Sequence, residues 1–133
     1  METNKKASTA AAEGVGKTAK QKRERPGFSR RFPRYALDVR LQVKMFQEGE
    51  FCTCWGRSVE LGQDGIGATL TGSLEAGEIV TLEIPLPLTP YPMKVRAIVR
   101  YRQGLRYGFE FLTMGETQRD TLQRVCEYLA TQS

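Results

Sequence analysis

Residues 39–45 read Val-Arg-Leu-Gln-Val-Lys-Met, and this short stretch sets the pattern that the rest of the chain repeats. Its apolar side chains occupy every second position, with polar side chains between them. Successive side chains of a β-strand point to opposite faces, so strict alternation predicts a strand with one face in a core and the other in water. Because the same period returns further along the chain, the sequence predicts a mainly β protein.

Five more segments carry this alternation, and turn residues separate them. They lie at residues 51–61, 66–70, 80–84, 95–101 and 107–111. Glycines punctuate the early strands, and the proline-rich residues 85–92 predict a connection or an edge because proline lacks the backbone donor that a strand ladder needs. In the segment 51–61, the alternation places Trp55, Val59 and Leu61 on the inward face, which predicts Trp55 as a core residue.

The C-terminal segment has a helical period instead. Its apolar residues fall at i, i+3, i+4 and i+7, as Leu122, Val125, Cys126 and Leu129. Thr113-x-x-Glu116 resembles a capping box at or near the start of this helix. Short antiparallel strands with tight turns, followed by one amphipathic helix, predict a small six-stranded antiparallel β-barrel with a C-terminal α-helix over one open side.

Positive charge is concentrated before the first strand. Residues 1–34 hold ten Lys and Arg against three acidic residues, a net +7, whereas residues 35–133 hold ten against twelve, a net −2. Residues 1–28 almost lack large apolar groups and cannot bury enough surface to offset the entropy of ordering. We therefore predict a disordered basic tail over residues 1–28 and one folded domain over residues 29–131.

The composition argues against several classes of protein. The chain has no histidine and three cysteines, and it lacks a Ser/His, Cys/His or paired-carboxylate arrangement for acid–base chemistry, so we expect neither an enzyme nor a metal or cofactor site. No apolar run approaches the ~20 residues that span a bilayer, so membrane insertion is not expected. Free thiols and no export signal favour the cytoplasm.

Two segments are candidates for binding an anion. Ser29-Arg30-Arg31-Phe32-Pro33-Arg34 places three guanidinium groups where the tail meets the first strand, and Arg suits planar anionic groups because its fork donates parallel hydrogen bonds. Glu60-Leu61-Gly62-Gln63-Asp64-Gly65 places a carboxylate beside a glycine bend whose backbone N–H groups can face an anion. The alternatives are a solvated basic linker and a structural β-bulge. A third basic group, Arg96, Arg100 and Arg102, is either a solvated face or an extension of such a site.

Together these segments resemble the PilZ domain family. Arg30-x-x-x-Arg34 is followed about 25 residues later by an acidic residue at Glu60 and by Gly62 and Gly65, and Tyr107-Gly108-Phe109-Glu110-Phe111 and the final helix also match. The likeness covers roughly residues 28–131. It implies a six-stranded barrel with a C-terminal helix that acts as a receptor for the bacterial second messenger cyclic di-GMP.

The resemblance also implies roles for particular residues. Arg30 and Arg34 would clamp the phosphates and guanine faces of the nucleotide, with Arg31 between them, and the Glu60–Gly65 segment would receive a guanine edge on the outer surface. The family favours Asp or Asn where Glu60 stands and Ser where Gly62 stands. Loss of one neutral hydrogen bond costs about 0.5–1.5 kcal/mol, so the Gly62 difference predicts weakened binding more than abolished binding.

Three functions follow as hypotheses. The first is a receptor in which cyclic di-GMP orders the N-terminal segment and so signals to an unidentified protein partner. The second is an adaptor of the same fold that does not bind nucleotide because of Glu60 and Gly62. The third, a nucleic-acid binder led by the basic tail, is disfavoured because exposed aromatic residues at regular spacing are not evident in the sequence.

Overall fold

The computed structural model describes residues 32–132, and it contains seven strands and one helix over this range. The tail predicted for residues 1–28 lies outside the described residues. The elements are β1 (Tyr35–Ala36), β2 (Arg40–Gln47), β3 (Glu50–Leu61), β4 (Gly65–Leu70), β5 (Ile79–Ile84), β6 (Met93–Gln103), β7 (Arg106–Phe111) and α1 (Glu116–Gln132).

Strands β2 to β7 close into the predicted six-stranded antiparallel barrel. The order around the barrel is β3-β2-β5-β6-β7-β4, and β4 pairs back onto β3 to complete the ring. Strand β1 is an additional two-residue strand on the outer edge of the β3 end, where Tyr35 pairs with Leu61 and Ala36 with Glu60. The long β2–β3 hairpin turns at Glu48 and Gly49, which both have positive φ (52° and 81°), as a two-residue hairpin turn requires.

The prediction that Trp55 is a core residue is wrong. Its side chain is 40% exposed, and the Arg40 guanidinium carbon lies 4.0 Å from its ring centroid. The reason is a β-bulge: Ser58 pairs with Ala68 and Glu60 with Gly67, so Val59 is an extra residue that shifts the phase of the strand. Before the bulge the inward positions belong to Gly56 and Ser58, and after it to Leu61.

Ser58 explains how a polar side chain fits the inward phase. It is 4% exposed, its hydroxyl donates to the Leu37 carbonyl, and it accepts from the Val39 backbone N–H at 2.9 Å. A buried hydroxyl that both donates and accepts loses little on leaving water. This small hydrogen-bonded group fixes the chain between β1 and β2 against β3.

Helix α1 buries the predicted face against the barrel. Leu122, Val125, Cys126 and Leu129 are all buried and belong to the same hydrophobic cluster as the interior strand residues. The predicted capping box is not formed, because Glu116 is the first helical residue and therefore does not occupy the third position of the first turn. The three cysteines are free, as the sequence predicts. Within residues 32–132, no helix is long and apolar enough to cross a membrane.

Candidate functional site

The short strand β1 determines where Arg34 lies. Because Tyr35 pairs with Leu61, the preceding residue Arg34 arrives beside Gly62, the residue that follows Leu61. Two segments 28 positions apart in the sequence thus meet at one end of β3. The side chain of Arg34 is 8% exposed, so its guanidinium group is held within the surface and does not extend into solvent.

Four charged side chains meet at this place, and we call them the Arg34 cluster: Arg34, Glu60, Asp64 and Arg106. Arg34 Nη1 lies 3.8 Å from Glu60 Oε2, and Arg34 Nη2 lies 3.5 Å from Asp64 Oδ1. Arg106 Nη2 lies 3.7 Å from the same Glu60 Oε2. Two cations and two carboxylates make the cluster formally neutral, and the two carboxylates are 20% and 22% exposed.

The bend between β3 and β4 forms the floor of the cluster. The Gly62 backbone N–H donates to the Gly65 carbonyl at 2.9 Å, and the Asp64 carbonyl accepts from the Phe111 N–H at 2.9 Å. A Cβ at Gly65 would lie 2.2 Å from the Phe109 carbonyl oxygen, which leaves room only for glycine. These contacts fix the backbone of the bend, including that of Asp64.

The cluster balances charge without satisfying its hydrogen-bonding groups. Arg34 Nε, Asp64 Oδ1 and Arg106 Nε are buried and have no hydrogen-bond partner within the described part of the chain. The ionic contacts of 3.5–3.8 Å are also longer than the ~2.7–2.9 Å of charge-assisted hydrogen bonds. Buried polar groups in native proteins are usually paired, so these two donors and one acceptor can still take up hydrogen bonds at this surface.

A family profile for the PilZ domain matches residues 28–128, which is most of the chain. The chain belongs to the PilZ domain family. This match confirms the family that the arginine and glycine motifs predict, and it covers the barrel, the Arg34 cluster and most of α1.

Solved structures confirm the fold of this PilZ domain. It resembles the PilZ domain with c-di-GMP of YcgR from Escherichia coli, with a TM-score of 0.58 and 19% identity, over 77% of this chain and 92% of that one. It also resembles the PilZ domain of CeSA from a cellulose-synthesizing bacterium, with a TM-score of 0.56 and 15% identity, over 72% of this chain and 97% of that one. The inhibitor of motility MotI/DgrA from Bacillus subtilis matches with a TM-score of 0.61 and 19% identity, over 79% of this chain and 53% of that one. Comparison with curated proteins gives no match.

The structure brings together four of the six residues predicted for the site. Arg34, Glu60, Gly62 and Gly65 lie within one patch of the PilZ domain. Arg30 and Arg31 lie outside the described residues. Gly62 is in contact distance of the arginine itself, because a Cβ there would lie 2.8 Å from Arg34 Cδ and 2.9 Å from Arg34 Nε.

Two members of the cluster were missed by sequence reasoning. Asp64 lies inside the glycine bend, where an acidic residue is also typical of an ordinary turn. Arg106 is the first residue of β7 and faces outward because Tyr107 and Phe109 face inward. Its nearness to Glu60 depends on the β4–β7 and β3–β4 registers, which no local pattern reveals. The alternation at residues 107–111 predicts only that Arg106 is on the outer face.

In the other basic group, Arg96, Arg100 and Arg102, the last two members each have partners of their own. Arg100 Nε donates to Glu110 Oε1 at 2.5 Å, and Glu110 is the residue opposite Gly65 in the β4–β7 ladder. Arg102 Nη1 donates to Ser73 Oγ at 3.0 Å, and its guanidinium lies 5.4 Å from the centroid of the Tyr107 ring. Arg100 is thus paired with the residue opposite Gly65, and its charge is already balanced there.

The thiol of Cys126 on helix α1 is influenced by charges of the Arg34 cluster. Burial raises the pKa of the Cys126 thiol to about 11, while the charge of Arg34 lowers it and the charges of Asp64 and Glu127 raise it. The thiol is 2% exposed and therefore neutral and inert at physiological pH. Among the described residues, no three His, Cys, Asp or Glu side chains are grouped as a metal site would require.

Proposed function

We propose that this PilZ domain binds cyclic di-GMP on the outer surface at the Arg34 cluster. Arg34, Glu60 and the Gly62–Gly65 bend would form the part of the site on the barrel, and Arg30 and Arg31 would complete it from the segment before β1. The observation that carries the proposal is the buried Arg34 guanidinium, which has an unused Nε donor and lies beside two carboxylates.

Arg34 and Glu60 match the two parts of a guanosine phosphate. Phosphate oxygens accept the donors of Arg34, and Arg–phosphate contacts are among the stronger hydrogen bonds in proteins. The guanine edge offers N1–H and N2–H donors, which the Glu60 carboxylate can accept. The YcgR PilZ domain, which shares this fold, was solved with c-di-GMP. The proposal therefore assigns the phosphates to the arginines and the base to Glu60.

Glu60 fits this assignment although the family favours a shorter residue there. Its carboxylate reaches one methylene further than that of Asp, and Arg34 and Arg106 approach it from two sides at 3.8 and 3.7 Å. A longer side chain held between two cations keeps a defined position. The negative charge that recognises guanine is preserved.

Calorimetric titration with cyclic di-GMP, with cyclic di-AMP as a control, tests the proposal. We expect binding of the wild-type chain in the micromolar range or tighter. Loss of one charge-assisted bond costs about 1.5–3 kcal/mol, so Arg34→Ala should weaken binding by roughly 10- to 150-fold. A wild-type chain that gives no heat signal at high ligand concentration would contradict the proposal.

The signal to a partner would come from the segment before β1. Arg30 and Arg31 precede Arg34 by only a few residues, so a ligand held by all three arginines would draw this segment onto the barrel and change the surface offered to a cytoplasmic protein partner. Amide hydrogen exchange of residues 1–31 should slow on ligand addition. Unchanged exchange in a ligand-saturated sample would limit the ligand's effect to the barrel.

The second candidate is an adaptor that acts through protein contact alone. It is favoured by Gly62, which cannot supply a hydroxyl, and by the charges of Arg34, which are already balanced within the protein. This function is an alternative to ligand binding and does not involve catalysis. The same titration separates the two candidates, because the adaptor gives no heat with either nucleotide.

A further inference from the structure

We propose that Asp64 sets the ligand affinity of this PilZ domain by holding Arg34 in the free protein, so that a nucleotide phosphate must displace Asp64 to reach the arginine. This inference rests on the proposed function. It concerns a residue that lies within the Glu60–Gly65 segment but is not one of the positions by which the chain resembles the family.

The first step of the argument is the position of Arg34. Its side chain lies flat over Gly62, where a Cβ would be 2.8 Å from Arg34 Cδ, 2.9 Å from Arg34 Nε and 3.1 Å from the Pro33 carbonyl oxygen. No residue with a side chain fits at position 62 while Arg34 and Pro33 keep these positions. Gly62 therefore does more than omit a hydroxyl group, because the absence of a side chain at this position leaves room for the side chain of Arg34.

The second step is what holds the arginine there. Arg34 Nη2 lies 3.5 Å from Asp64 Oδ1, the shorter of its two contacts with carboxylates. At this distance the charges attract strongly in a site from which water is largely excluded, yet the contact is too long for a good hydrogen bond. The arginine is thus held by charge while its Nε stays unpartnered, a state that a better acceptor can replace.

The third step distinguishes Asp64 from Glu60. If Arg34 turns towards a phosphate, Arg106 remains 3.7 Å from Glu60 and continues to balance it. Asp64 has no such second cation, since Arg34 is the only one within 4 Å of its carboxylate in the described chain. Its Oδ1 is also buried and lacks a hydrogen bond among residues 32–132. The cost of moving Arg34, and the repulsion of an incoming phosphate, therefore fall mainly on Asp64.

Asp64→Asn tests the inference because it removes the charge and keeps the shape. Weaker retention of Arg34 increases the fraction of molecules in which the arginine is available, and the apparent dissociation constant falls in proportion. In calorimetric titrations with cyclic di-GMP, we expect Asp64→Asn to bind about tenfold more tightly than wild type. The unliganded variant should melt at a lower temperature, because a buried guanidinium loses one of its two carboxylates.

Asp38→Asn is the matched control. It also removes one carboxylate that pairs with an arginine, but the Arg57–Asp38 pair is 58% and 76% exposed and lies outside the Arg34 cluster. Its affinity should stay within about twofold of wild type, so a general effect of net charge would be visible. If Asp64→Asn does not fold, as judged by circular dichroism, Asp64→Ser removes the same charge with a smaller side chain.

The outcomes are distinct. Tighter binding together with a lower melting temperature supports the inference, because a residue with only a structural role would lower both stability and affinity. Equal or weaker binding by Asp64→Asn, with wild type binding, overturns the inference and leaves the proposed function standing. Absence of binding by both proteins overturns the proposed function and this inference with it.

Discussion

The two ends of β3 differ in which side chains they expose to water and which they bury. At the hairpin end, Phe46 and Phe51 are 60% and 85% exposed, and their rings meet edge to face at 4.9 Å. At the opposite end, charged groups of the Arg34 cluster are largely buried. The hairpin end therefore tolerates change, whereas the cluster end depends on mutual compensation of charge and on glycines that permit close approach.

The glycines at the two ends give the largest expected contrast. A Cβ at Gly65 would lie 2.2 Å from the Phe109 carbonyl oxygen, so Gly65→Ala has to displace backbone and should lower the free energy of unfolding by about 3 kcal/mol. Gly49, in the hairpin turn, has a φ of 81°, and no atom of the described chain lies within 4 Å of the place that a Cβ would occupy. Gly49→Ala should cost only about 1 kcal/mol of backbone strain. Urea denaturation measures both, and equal losses would contradict the contrast.

The ion pairs at the cluster end should outweigh an exposed one. Arg34→Ala removes a cation that pairs with both Glu60 and Asp64, which we expect to cost about 2 kcal/mol of stability after allowance for their partial exposure. Arg57→Ala, which removes the exposed partner of Asp38, should cost less than about 0.5 kcal/mol. Chemical denaturation at low ionic strength compares the two variants. If Arg34→Ala lowers the free energy of unfolding no more than Arg57→Ala does, burial does not strengthen the ion pairs of the cluster.

Alkaline pH should lower the free energy of unfolding through Cys126, whose thiol is influenced by charges of the Arg34 cluster. Its pKa is raised by burial to about 11, above its unfolded value near 9, so the folded state keeps a proton that the unfolded state loses. The contribution of the protonated Cys126 thiol to the free energy of unfolding is complete below pH 9. It is lost as the pH rises towards 11, and the free energy of unfolding then falls by up to about 1.4 kcal/mol per pH unit. Cys126→Val should flatten this part of the stability profile, and Cys52→Ser, at an exposed position on β3, should leave it unchanged.

The smallest effect is expected at the hairpin end. Phe51→Ala removes a ring that is 85% exposed, so the free energy of unfolding should change by less than about 0.5 kcal/mol, and affinity for cyclic di-GMP should not change. Thermal denaturation and calorimetry provide the two measurements. A loss above about 1 kcal/mol would mean that the Phe46–Phe51 pair supports the hairpin more than its exposure indicates.

The sequence predicted the barrel well because most of its strands alternate without interruption. Residues 39–45 and 107–111 point their apolar side chains inward as the pattern requires. The exception is β3, where the bulge at Val59 reverses the phase and moves Trp55 to the surface. A bulge of one residue cannot be recognised from the sequence when apolar side chains stand on both sides of it.

The candidate site was only partly visible in the sequence for a similar reason. The motifs point to Arg34, Glu60, Gly62 and Gly65 because their residue types are unusual at those spacings. Asp64 and Arg106 are ordinary turn and strand residues until the register of β4 between β3 and β7 brings them to the same patch. The steric relation between Gly62 and Arg34 likewise depends on the pairing of β1 with β3. Tertiary register, which the alternation does not encode, supplies these contacts.

The most direct test of the account is the ¹⁵Nε–Hε resonance of Arg34, assigned by its disappearance in Arg34→Lys. Because Arg34 Nε has no hydrogen-bond partner within the described chain, saturating cyclic di-GMP should shift this resonance downfield and slow its exchange with water, and cyclic di-AMP should do so less. An Arg34 resonance that stays unchanged while ligand binding is evident elsewhere would contradict a site built on this residue.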